Sequence, residues 1–340
     1  MNLALIENSL LVSVFTTFFS VTIGFLVALW FNALNSTSRK FILFCAIIAL
    51  ALPPFLVTNC WLHFLGHTGI WRNWLPLNIF SLGGTIWILT LMTWPITFFS
   101  VSAALQRLEI SQLENDPLLK GFALIRWLLF PLARTAVIQA ALITFILALN
   151  NFAVPSILQV KVFPAEIWVN FNTTFDYKKA LQISWPLILA PLLILFLFRS
   201  KRISWQWKNN SVSAKIFRRQ LGATWFWTSG FFAVATIFFS VALPFWQLAS
   251  SEKTWSDFLP ALAAGQMACF HSFLFAAVAA SFVIVISLLT WRWLLGKILW
   301  LPFLVPGVLL GISLIWFFNR GILAAFYQSI GIVVFAYTIR

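Results

Sequence analysis

Charged residues cut this chain into long apolar stretches. Nine runs of at least 19 residues contain no Asp, Glu, Lys or Arg: 8 to 38, 41 to 71, 73 to 106, 135 to 160, 180 to 198, 220 to 251, 258 to 291, 298 to 319 and 321 to 339. Every other charge-free gap is nine residues or shorter, so the division does not depend on a threshold. A helix crossing about 30 Å of hydrocarbon needs about 20 apolar residues, because each adds about 1.5 Å. The pattern therefore predicts an all-α, polytopic membrane protein of about nine spanning helices.

Composition excludes a soluble alternative. Apolar residues make up 61% and charged residues 9%, against about 45–50% and about 25% in soluble domains. The 19 Trp and 38 Phe suit lipid-facing surfaces and interfacial belts. The net charge of +14 admits nucleic acid, anionic lipid or membrane topology as its cause. Its distribution decides for topology. Nine spans sort the loops into two alternating sets, one holding sixteen basic residues and the other six. That bias predicts that the richer set is cytoplasmic, with the N-terminus outside and the C-terminus inside. No nucleic-acid role is needed to explain it. The stretch Met1 to Glu7 lacks a basic n-region, and the span behind it is too long for a signal-peptide core. Cys45, Cys60 and Cys269 have no CxxC spacing and read as packing residues. For His63, His67 and His271 both a functional and an interfacial hydrogen-bonding reading stay open.

Two polar segments differ in kind. Residues 199 to 219 carry seven positive charges and no acid, and with Trp205 and Trp207 they read as a linker lying against anionic headgroups. Residues 106 to 134 hold three of the eight acids in the chain, Glu109, Glu114 and Asp116, interleaved with Leu108, Leu113, Leu118, Leu119 and Phe122. Ser111 and Glu114 have capping-box spacing, and Pro117 behind Asp116 has the form of an N1 proline after its cap. Two short surface helices are expected there, shaped to dock into a partner; an ordinary solvated loop is the alternative.

This segment resembles the cytoplasmic loop of permease subunits in binding-protein-dependent type I ABC importers, the family handling iron(III), thiamine, phosphonates or polyamines. Leu113-Glu114-Asn115-Asp116 stands at that loop's acidic-alanine stretch, Gly121 at its glycine and Phe130-Pro131-Leu132 at its closing proline. The alanines are replaced, and the ten residues from Gly121 to Pro131 fall about one helical turn short of the family spacing. Downstream, ALNNFAVPSIL, FPAEIWVNF and FDYKKALQISWPLILAPLLILFLFRSKR look like the last two helices of a first permease half. The chain also repeats a pattern: Pro53 with Phe64 eleven residues on, and Pro306 with Phe317 eleven residues on.

The resemblance implies a type I importer permease fold in two homologous halves, the second incomplete. Residues 1–200 would form the first half with helices one to five, 199–222 the basic linker, and 223–340 the start of the second half with helices six to nine. On that register the chain is expected to be a truncated form or fragment of a longer permease. The resemblance further implies a multi-pass protein of the bacterial inner membrane. Its partners would be a cytoplasmic ABC ATPase dimer, a periplasmic substrate-binding protein, a second permease half or copy, and the lipid bilayer. The outside loops 156 to 179 and 250 to 268 are the expected docking surfaces for the binding protein. No cofactor is expected on this chain and ATP would be used by the partner, since Gly296-Lys297 has Trp291 where a P-loop places its first glycine. The chain itself is then not an enzyme.

By that analogy the ATPase-coupling residues are Glu109, Glu114, Asn115, Asp116, Leu118, Leu119, Gly121, Phe122, Arg126 and Pro131, with Lys120 as a further charge for the partner. Plain surface capping is the competing reading for each. Asn59, Asn150, Asn151 and Pro155, with Thr93 and Pro95, either line a path or bridge helices, because an amide at membrane depth needs a partner. No Asp, Glu, Lys or Arg lies inside the nine runs, which weighs against a proton- or ion-coupled carrier. A secondary transporter or channel, or a truncated membrane protein that does not transport, remain the alternatives. No residue names the transported solute.

Overall fold

The computed structural model describes residues 3–75, 77–109, 113, 119–174, 184, 185, 187, 189, 192, 212–290 and 305–339. Every regular element among them is helical. In chain order these are α1 (Leu3–Asn32), α2 (Ser36–Ala51), α3 (Pro54–Leu65), α4 (Leu82–Leu105) and α5 (Phe122–Leu124). A π-helical turn (Ile125–Leu129) then leads into α6 (Phe130–Leu149), followed by α7 (Ala153–Ile157), α8 (Phe163–Thr174) and α9 (Ala214–Ile237). A second π-helical turn (Phe238–Ala242) leads into α10 (Leu243–Ser250), and α11 (Glu252–Thr290), α12 (Gly307–Phe318), α13 (Ala324–Tyr327) and α14 (Gly331–Ile339) complete the series.

Five of these runs are apolar and long enough to cross a membrane: Ala4–Asn32, Leu82–Leu105, Phe122–Ile157, Ala214–Ser250 and Glu252–Thr290. They coincide with expected spans one, three, four, six and seven. Span two is instead bent by 95° between α2 and α3. The cause is Pro53-Pro54. A proline disfavours helical backbone in the residue before it, and Leu52 is extended at φ −61, ψ 127. Pro54 then sits in the first turn of α3, where its missing N–H costs nothing. Span eight is represented by the 12 residues of α12. Span nine is not one helix but the short α13 and α14, separated at Ser329, whose hydroxyl accepts from the Gly331 N–H. Nearly all of expected span five lies outside the described residues, so the count of nine is not established.

The core is a bundle of α1, α4 and α6, with α9 laid along α1. Small residues let α1 and α4 meet backbone to backbone. A Cβ on Gly24 would fall 2.6 Å from both Thr97 Cβ and the Trp94 carbonyl oxygen. Ser9, Ser13, Thr16 and Ser20 form a buried face of α1 at helical spacing. The Ser13 hydroxyl donates to the Ser9 carbonyl, while Ser9 Oγ accepts from the Phe163 N–H and ties α1 to the start of α8. Trp94 and Phe98 fill the centre with no exposed surface, and Phe31 meets Phe98 edge-on at 5.2 Å. At the other end of α1, Arg39 donates to the carbonyls of Phe31 and Asn32, two of the last acceptors of that helix.

Pro95 and Pro260 lie inside α4 and α11, whereas Pro131 and Pro244 each follow a π-turn within a long helical run. A helical proline ring clashes with the carbonyl four residues back. For Pro131 that residue is Trp127 and for Pro244 it is Ser240, both within the widened turns. The Phe130 N–H reaches back to the Ile125 carbonyl and the Leu243 N–H to that of Phe238, the five-residue spacing that makes room for the ring. The second turn also presents Ser240 to α4, where its Oγ accepts from Trp94 Nε1 at 3.3 Å.

Candidate coupling segment

The polar segment begins where α4 ends, with Gln106 as its cap. Leu108 and Leu113 are fully buried in the main apolar cluster, and Leu119 packs against it. Glu109 is half-buried. Glu114, Asn115, Asp116 and Leu118, with the expected cap at Ser111 and Pro117, lie outside the described residues.

At Gly121 the chain turns through φ 58, ψ −124, a conformation that a Cβ would oppose. The Gly121 N–H donates to the Gln220 carbonyl at 2.9 Å, and its own carbonyl accepts from Ile125 N–H as α5 starts. Past the bend the helical period sorts the side chains. Leu124, Ile125 and Leu129 are buried, whereas Lys120, Phe122, Arg126, Trp127, Phe130 and Pro131 are exposed. Arg126 lies over its neighbour Trp127 at 5.2 Å, so a cation and an indole share one outward surface. Such a surface can offer apolar contact and positive charge to a protein partner.

The segment is held by residues that the sequence did not single out. Gln220 Nε2 donates to the Leu113 carbonyl at 3.2 Å across 107 positions. Trp225 stacks on Phe122 at 5.8 Å with the rings 20° apart, and its edge lies 3.5 Å from where a Gly121 Cβ would be. Both belong to α9. Neither carries a local signal, because the pairing exists only once α9 lies against α5.

The amide residues do not form one group. Asn59 is exposed on α3. Asn150 closes the end of α6 and is half-buried. Asn151 Oδ1 accepts from the Val154 N–H at 3.1 Å, which caps the start of α7, where Pro155 is buried. Capping is thus a third role for Asn151 beside bridging and lining. Thr93 donates to the Leu89 carbonyl within its own helix, and Pro95 is buried in α4. Pro131 and Asn150 stand at opposite ends of α6, about 28 Å apart at 1.5 Å per residue. The three histidines each lie against an aromatic ring, His67 stacking on Phe80 at 4.5 Å. Among the described residues no group of His, Cys, Asp and Glu could hold a metal ion.

Comparison with known proteins gives a relative over nearly the whole chain. The chain is 24% identical to the Fe(3+)-transport system permease protein FbpB 2 of Haemophilus influenzae, over an alignment of 358 positions that takes in 98% of this chain and 67% of that protein. No protein-family model matches. The similarity bears out the resemblance to ABC importer permeases of the iron(III) class, and with the apolar helices it supports a multi-pass membrane permease.

Proposed function

We propose that this chain is a transmembrane subunit of an ABC importer that carries iron(III), or a small solute of the thiamine, phosphonate or polyamine class, across the inner membrane. A periplasmic protein delivers the solute and a separate cytoplasmic ATPase dimer drives transport. The sixteen basic residues of one loop set face the cytoplasm, and the N-terminus faces outward. The observation that carries this reading is the form of the segment around Gly121. It is bent, anchored on its apolar side by Leu113, Leu124 and Gln220, and turns Lys120, Phe122, Arg126 and Trp127 outward. Closure of the ATPase dimer on that face would push along α6, whose proline and π-turn lie next to the contact.

Two further features support a permease built of related halves. α3 and α12 are each 12 residues long, and each begins after a proline in extended backbone, Pro53 at φ −68 and Pro306 at φ −54. The relative at 24% identity is a transport permease, and it brings iron(III) to the front of the candidate solutes.

The test is reconstitution of the full chain in liposomes with its ATPase subunit and binding protein. Uptake of iron(III) that needs ATP and all components is the expected result. Uptake driven by a proton gradient alone would overturn the proposal. Reversal of Glu114 and Asp116 to Lys should abolish co-purification of the ATPase, and retained binding would remove the coupling role from those two acids.

A further inference from the structure

The first residues of α9 carry a groove that the transport reading does not use. It has a volume of about 370 Å3 and is lined by Lys215, Arg218, Arg219, Gly222, Phe226 and Trp227 among others, with no acid in its wall. Among the described residues none of the three cations is paired with a carboxylate. Arg218 is held flat, its guanidinium carbon 4.0 Å from the centre of the Phe226 ring. Stacking of that kind fixes the plane of the guanidinium and leaves its N–H edge free to fork onto two oxygens of a phosphate. Gly222 at φ 78, ψ 159 breaks the helix at the floor of the groove, where a Cβ would meet nothing within 4 Å.

What lies beyond the groove identifies the ligand. Trp227, Phe231, Val234 and Phe238 follow at spacings of four, three and four, on one helix face, and are 67%, 70%, 55% and 47% exposed. They form an apolar ridge about 16 Å long at 1.5 Å per residue. A free phosphate would use the cations and leave the ridge idle, while a phospholipid uses both, its headgroup in the groove and an acyl chain along the ridge.

We infer that Lys215, Arg218 and Arg219 bind the phosphate headgroup of an anionic phospholipid, with an acyl chain lying on the ridge from Trp227 to Phe238. This site is distinct from diffuse attraction of the basic stretch at 199 to 219 to a charged surface. It also backs the candidate coupling segment, because Gln220 and Trp225 on the same stretch of α9 hold Leu113, Gly121 and Phe122.

The experiment is native mass spectrometry of the full chain extracted with phosphatidylglycerol and phosphatidylethanolamine in equal amounts, so that it depends on no ATPase and its failure leaves the transport proposal standing. Wild type should retain phosphatidylglycerol selectively, and millimolar inorganic phosphate should not displace it. The triple variant Lys215→Gln, Arg218→Gln, Arg219→Gln should lose retention by about a hundredfold, since each basic residue near an anionic surface contributes a factor of about five. Phe231→Ala with Val234→Ala, which leaves every charge in place, should weaken retention several-fold. Neutralising Lys201, Arg202 and Lys208 should change it little. Equal loss from the two charge triples would reduce the site to diffuse attraction and overturn the proposal. So would displacement by inorganic phosphate, or full retention by a triple variant that elutes as a folded species.

Discussion

α4 and α11 are both long apolar helices, yet 72% of the membrane-length window in α4 is buried inside the protein against 6% in α11. Greater hydrophobicity does not explain the burial, since the α4 window is the less apolar of the two and lipid tails, as apolar as a protein interior, supply no drive toward burial. The fit of a helix against its neighbours does. Where α4 meets α1, Thr97 and the Trp94 carbonyl lie against Gly24, so the two backbones approach closely. α11 presents Phe258, Phe270, Phe273, Phe282 and Leu288 outward, and among its residues only Ala279 is buried. Small residues alone do not bury a helix, since Ala263, Ala264, Ala268 and Ala276 of α11 are exposed while Trp94 and Phe98 of α4 are fully buried; what buries α4 is matched contact with α1 and α6.

Matched substitutions on the two helix environments test this. Gly24→Leu should have the largest effect, since the new side chain must displace α4 backbone; loss of about 3 kcal/mol or more is expected, read as failure to elute as a folded species in detergent. Gly265→Leu on α11, where a Cβ meets nothing within 4 Å, should be neutral or slightly stabilising through better helix propensity. Equal damage from both would break the comparison. Next, Trp94→Ala should cost about 3 kcal/mol in thermal unfolding through the cavity and the lost bond to Ser240, whereas Phe273→Ala, at a side chain 77% exposed, should change little.

Smaller effects are expected at the coupling segment. Gly121→Ala places a Cβ at positive φ and should cost about 1–2 kcal/mol, with ATPase co-purification falling more than stability does. Smallest is Trp225→Ala, which removes the stack on Phe122 and should cost about 1 kcal/mol. Its signature is faster proteolysis confined to the region around Gly121. Uniform proteolysis of the whole chain would mean that Trp225 supports the core and not the segment.

The membrane character and the positions of five spanning runs were legible in the residues. Each depends on a local property, the apolar, charge-free length of a run. Span two, expected as one spanning helix, is bent by 95° at Pro53-Pro54. At Pro131 and Pro244 π-turns make room for the ring, whereas Pro95 and Pro260 sit inside α4 and α11 without one, and nothing in the flanking residues announces the difference. Lys120, Phe122 and Arg126 stand outward as their proposed role requires, while Asn59, Asn150 and Asn151 lie on separate elements, Asn151 capping α7.

By itself the sequence determined that the chain resides in a bilayer, roughly where it enters and leaves, and which segment stands apart as polar. Those properties sum over neighbouring residues, and transfer into lipid is additive along a helix. Only the tertiary structure decided which face of each helix is buried, that Gln220 closes on Leu113 across 107 positions, and that three cations of α9 converge on one groove. Between apolar helices in lipid the choice of partner rests on contact shape and a few hydrogen bonds, and those exist only when distant segments meet.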